Sequence, residues 1–265
     1  MSLDSLDLFL QPFFTGLWFA LLLPLLGCYL RLRQEWLAAL AYAHVAAAGA
    51  LLAMALSWPL GLGGFAAAGL AALGRRPLAA RHGQGTVFAL YLLAGWAAAV
   101  LLVANLPTAE QLGHALFDGQ LYFTDRLQLW IGGLWCLGAL LVLRRLSRSL
   151  LLGQLFPEFF RARQLPAWPA QVGFDLLAAG SLALGTMTLG VMATFALVFI
   201  PPWLAFSRAG NWRRGLLTAL LVGVGSYLGV FVAALVFDQA FGPLLVLGLV
   251  GVGLVMGSIR SSRSR

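Results

Sequence analysis

The chain has 265 residues, of which 61% are hydrophobic and only 10% charged. A soluble domain cannot cover that much apolar surface with polar groups, so the composition excludes a water-soluble enzyme or binding module and points to a bilayer protein. The formal net charge of +8 rests on 17 basic residues, all of them Arg; on so apolar a chain these mark cytoplasmic loops rather than a nucleic-acid surface, and no nucleic acid is expected as a partner.

Segments that span a bilayer must satisfy their own backbone hydrogen bonds, as helices or closed barrels. The apolar runs at 86–104 and 215–237 are continuous, unlike the alternating strands of about 10 residues in a barrel. The expected fold is therefore an all-α, polytopic transmembrane helical bundle. A span of about 20 residues fits nine times, at roughly 13–30, 36–56, 60–74, 86–105, 127–143, 169–187, 189–206, 214–237 and 241–258. The third is short and Gly-rich; if it is re-entrant, the count is eight. The sixth and seventh nearly touch, between Gly185 and Gly190. The start, with Asp4 and Asp7, lacks the basic segment of a cleaved signal peptide. Cys28 and Cys136 lie in or beside apolar runs and read as small core residues, not a disulfide or a metal pair.

The Arg residues fix an expected orientation. Arg31 and Arg33 follow the first span; Arg75, Arg76 and Arg81 the third; Arg144, Arg145, Arg148, Arg161 and Arg163 the fifth; Arg208, Arg213 and Arg214 the seventh; Arg260, Arg263 and Arg265 the ninth. These alternate loops hold 16 of the 17, with Arg126 alone on the other side. The positive-inside rule then puts the N-terminus outside and the C-terminus in the cytoplasm. Asp4, Asp7, Glu110, Asp118, Asp125 and Asp238 fall on the outer face, either as solvated loop residues or as a mouth that concentrates cations. Gly225 with Gly229, and Gly253 with Gly257, have the spacing that lets helix backbones approach closely.

Ionisable groups within spans are costly and draw attention first. His44 lies midway along the second span, either as a ligand for zinc and similar ions or as an interior imidazole bonded to a backbone carbonyl. Asp175, near the cytoplasmic end of the sixth, is expected to pair with a nearby Arg or hydroxyl rather than with cargo. In the outer loop 105–126, His114 and Asp118 stand at i, i+4, so on a helix both face one side, as a transient metal-contact pair or an ordinary polar face. The inner segment 144–168 mixes large apolar residues with charges, and Pro157 suits the first turn of a short helix lying on lipid or in a partner's groove. With no Lys there is no P-loop, and no polar stretch is long enough for a nucleotide-binding domain. Any ATP hydrolysis belongs to another subunit.

Three stretches carry a family resemblance. Phe156-Pro157-Glu158-Phe159-Phe160-Arg161-Ala162-Arg163-Gln164-Leu165, the Gly190–Pro201 run Gly-Val-Met-Ala-Thr-Phe-Ala-Leu-Val-Phe-Ile-Pro, and Phe241-Gly242-Pro243-Leu244-Leu245-Val246-Leu247 resemble segments of the ZnuB/MntB-like permease subunits of zinc/manganese-type metal ABC importers. Pro24-Leu25-Leu26-Gly27, the Ala43-His44 pair and Leu116-Phe117-Asp118-Gly119 fit more loosely. The resemblance implies that 1–265 form one permease domain. It implies that a cytoplasmic ATP-binding subunit dimer docks on a segment at about 150–166, through Phe156, Pro157, Glu158, Phe159, Arg161 and Arg163. An extracytoplasmic metal-binding protein and a second permease copy complete the expected assembly, in membrane lipid. It also implies that His44 lines the path of a zinc or manganese cargo, with no resident cofactor. The family's second span carries an Asp four residues before that His; here Leu40 stands in its place, which removes a carboxylate from the path. Two alternatives stay open: a proton-coupled secondary transporter using Asp175 or His44, and a non-transporting membrane scaffold or assembly protein.

Overall fold

The computed structural model describes residues 3–106, 109–119, 121–163, 166 and 168–263; among these, the side chains of 3–8, 111, 114, 117, 118, 123, 157, 159, 161 and 257–263 are outside the description. The described chain is helical: α1 (Leu3–Leu32), α2 (Trp36–Ala55), α3 (Leu60–His82), α4 (Gln84–Asn105), α5 (Ala109–Asp118), a 3-10 turn at Leu121–Phe123, α6 (Arg126–Leu155), α7 (Pro157–Ala162), α8 (Trp168–Leu189), α9 (Val191–Phe206), α10 (Trp212–Phe237) and α11 (Phe241–Arg263). A helix lies over each of the nine expected spans. Among the described residues, six helices are long and apolar enough to cross a membrane, within α1, α2, α4, α6, α8 and α10; Val191–Phe206 and Phe241–Met256 are apolar but shorter.

Two expectations are corrected. Arg75, Arg76 and Arg81 are not in a loop, because α3 continues to His82. Arg144, Arg145, Arg148 and the beginning of the 150–166 segment are helical as well, because α6 runs on to Leu155. Leu, Arg and Gln are good helix formers, and nothing in this stretch breaks the ladder until Pro157 disfavours helical geometry at Phe156. Pro157 then opens α7, where its missing N–H costs nothing.

The chain divides into two compact units: Met1–Arg31, Ala115–Gly133 and Gly185–Arg265 form one, and Leu32–His114 and Leu134–Leu184 the other. In the first, Tyr227 is fully buried and its hydroxyl donates to the Phe13 carbonyl at 2.8 Å. Gly16 makes this possible, since a Cβ there would collide with the Tyr227 ring. Phe13, Phe231 and Phe241 pack around the same tyrosine. Cys28 packs with Ala205 and Ala219 as a free core cysteine. Arg31 Nη1 donates to the Trp203 carbonyl at 3.5 Å, and Arg208 donates to that of Met256. At the opposite helix ends, Gly119 packs on the backbone of Leu189 and Gly190. Each of these contacts joins ends that the Arg pattern assigns to one side.

In the second unit, the Ala-rich helix α2 packs against α3 and α4. Gly49 and Gly63 face one another, and a Cβ on either would meet the other's carbonyl oxygen. Elsewhere in this unit, Trp135 of α6 fills the space beside Gly180 of α8 and donates from Nε1 to Ser181 Oγ at 3.0 Å.

Candidate functional site

The turn between α1 and α2 is tight, with Gln34 in the left-handed region at φ 58°. On either side of it Arg33 and Glu35 enter the second unit. Glu35 sits at the N-cap of α2 but makes no side-chain cap bond; its carboxylate serves arginines instead. Arg33 Nε lies 3.0 Å from Glu35 Oε2 and Arg33 Nη1 lies 2.9 Å from Asp175 Oδ1. Arg75 of α3 bonds both acids, reaching Asp175 Oδ1 at 2.6 Å through Nη1 and Glu35 Oε1 through Nη2. Glu35 is 6% exposed, Arg75 and Asp175 each 3%. The guanidinium of Arg33 stacks over Phe174 at 5.1 Å and that of Arg75 over Phe88 at 5.0 Å. Burial pushes the Glu35 carboxyl above its ordinary value, and Arg33 and Arg75 pull against that rise.

Two positive and two negative groups thus cancel in a buried cluster that ties the α1–α2 turn, α3 and α8 together. Asp175, expected to pair with a nearby Arg or hydroxyl, meets two Arg. Sequence reasoning missed the other three members, because the Arg pattern treats Arg33 and Arg75 as orientation markers in solvent. A signal was present: the segments that the nine-span pattern groups with 16 Arg carry only Glu35, Glu158 and Asp175 as acids, so each acid there has a surplus of expected partners.

His44 lies on α2, 5% exposed, with Nδ1 at 2.9 Å from the Leu40 carbonyl oxygen. A carbonyl only accepts, so Nδ1 donates, and in the neutral ring Nε2 is then the acceptor nitrogen. The interior hydrogen bond and the ligand role are therefore compatible: a carbonyl that fixes the tautomer is the usual support of a metal-binding imidazole. Among the described residues, no group of three or more His, Cys, Asp or Glu is placed to hold a metal ion. Gly95 of α4 presses on this turn. A Cβ there would stand 2.7 Å from the Val45 nitrogen and 2.8 Å from the His44 carbonyl carbon. Gly95→Ala is expected to cost about 1–3 kcal/mol by overpacking, read as a lowered thermal midpoint of the detergent-solubilised protein.

His114 and Asp118 fall within α5, so the helix that puts them on one face is present; their side chains lie outside the described ones. The 150–166 segment comprises the end of α6, the short α7 and the residues from there to 166. Leu155, Phe156, Glu158 and Arg163 are exposed, and the side chains of Pro157, Phe159 and Arg161 lie outside the description. Behind it, a small pocket is lined by Ser149, Leu150, Gly153 and Gln154 of α6, Ala170 and Gln171 of α8, and Arg33.

Residues 5–259 match the ABC 3 transport family. The chain is 28% identical over 229 residues, 84% of its length and 75% of the relative's, to the chelated iron transport system membrane protein YfeD of Yersinia pestis. Its fold is similar to that in the PsaBC structure from Streptococcus pneumoniae, solved with a Fab, at TM-score 0.83 and 17% identity, covering 96% of this chain and 93% of that one. A transporter assigned to the metal-chelate type of ABC transporters, solved inward-facing, is similar at TM-score 0.75 and 18% identity over 94% and 85% of the two chains.

Proposed function

We propose that this chain, which belongs to the ABC 3 transport family, carries a divalent transition-metal ion inward, with zinc the first candidate and manganese the second. It is a permease subunit of a metal-type ABC importer, a multi-pass protein of the bacterial inner membrane, with the ATPase on a partner subunit. A relative named for chelated iron adds iron to the candidate cargoes. The observation that carries the reading is the family match across nearly the whole chain, on a sequence that has no Lys for a P-loop.

In this reading a binding protein delivers the ion to the acidic outer face, and His44 Nε2 offers it a nitrogen on the way. The exposed segment at the end of α6 and on α7 seats one ATPase subunit. A second permease copy seats the other, as two-fold assemblies require. The orientation, N-terminus outside, is supported by the Arg pattern. The proton-coupled alternative draws no support from Asp175, which is held by two arginines.

Reconstitution with the ATPase and binding protein tests the reading. Uptake of zinc, manganese and iron should require ATP for at least one metal, and no ATP-dependent uptake of any of them refutes it. Replacing His44 by Ala should weaken that uptake by about 10- to 100-fold, as loss of a metal-site group does.

A further inference from the structure

Arg33 belongs to two structures at once. It is a corner of the buried ionic cluster, and it is a wall of the pocket whose other walls, Ser149 to Gln154 and Ala170 with Gln171, flank α7 in sequence on both sides. Glu35, across the same turn, begins α2, the helix that bears His44. We propose that Arg33, Glu35, Arg75 and Asp175 form a latch that passes movement of the 150–166 segment to α2 and α3, and so act as positioning residues that couple ATP hydrolysis to transport.

The physical basis is the stiffness of such a cluster. Four charges buried together, each bonded and summing to zero, tolerate no gradual separation, because any unpaired member would be left in an apolar interior. A latch of this kind is either made or broken, and packed elements joined by it move as one body. Displacement of the start of α8, which carries Phe174 against the Arg33 guanidinium and Asp175 bonded to it, bears on Arg33, and through Glu35 it reaches the first turn of α2. The inference rests on reading 150–166 as the ATPase seat, which Glu158→Arg tests separately through ATPase binding.

The test is the double variant Arg33→Gln/Glu35→Gln in the complete complex, reconstituted in proteoliposomes. It removes one charge of each sign and leaves Arg75 bonded to Asp175, so no buried charge is stranded. The complex should assemble with its subunit ratio unaltered and hydrolyse ATP, while metal taken up per ATP falls about tenfold, an ordinary size for coupling between sites. An unchanged ratio of uptake to hydrolysis overturns the proposal, as does an equal fall in both, which marks a merely structural role. Should that complex not assemble, Arg75→Gln/Asp175→Asn, which keeps Arg33 bonded to Glu35, is read by the same ratio and against the same two outcomes.

Discussion

Arg75→Met is expected to destabilise the folded protein severely. The substitution leaves Arg33 alone against Glu35 and Asp175, so one carboxylate is buried without compensation. Breaking a buried pair in this way costs about 3–5 kcal/mol, against a total stability of about 5–15 kcal/mol for an ordinary fold. The cation–ring contact with Phe88 is lost as well. The expected readout is a large fall of the thermal midpoint in detergent. Arg75→Met combined with Asp175→Leu should recover most of that loss. It leaves Arg33 bonded to Glu35 as a neutral pair and fills the vacated space with apolar side chains, an exchange that is often neutral in stability. A double variant as unstable as the single one would show that the cost comes from packing around Arg75 and not from stranded charge.

The second large effect concerns binding and leaves the fold alone. Glu158 is exposed on α7, and reversing an exposed charge usually alters stability by no more than about 0.5 kcal/mol. At a protein interface, a like-charge contact costs several kcal/mol. Glu158→Arg should therefore leave the permease folded and lower its affinity for the ATPase by about 100-fold, with each factor of ten worth about 1.4 kcal/mol. Co-purification of the ATPase with the tagged permease measures this. Normal recovery of the ATPase with the variant would show that the docking surface lies elsewhere.

Much of the architecture was legible in the sequence because the bilayer imposes one-dimensional rules. An apolar run of span length must be helical, and Pro157 suits the first turn of a short helix. Each of the nine expected spans is covered by a helix, and Gly190, at the expected boundary between the sixth and seventh, separates α8 from α9 with φ 87°. The ends of α3 and α6 were not legible. Hydropathy ends a span at its first Arg, whereas backbone hydrogen bonding carries α3 on through Arg75 and past Pro77 to His82, and α6 on through Arg144 to Leu155.

For the site the division is sharper. The sequence by itself determined that the chain is a helical membrane protein, that it cannot hydrolyse ATP through a P-loop, and that His44 and Asp175 are ionisable groups within apolar spans. All three depend only on residue type and spacing along the chain. Only the tertiary structure decided that the His44 Nδ1 is spent on the Leu40 carbonyl, and that Arg33, Glu35, Arg75 and Asp175 form one neutral cluster. Those four residues are spread from position 33 to position 175, and nothing local links them. The one-sided Arg pattern predicts which face of the membrane a segment is on, but not whether its charge meets water or a buried carboxylate. That depends on how α3 and α8 pack beside the α1–α2 turn, where the cost of burying an unpaired charge forces each member to find its partner.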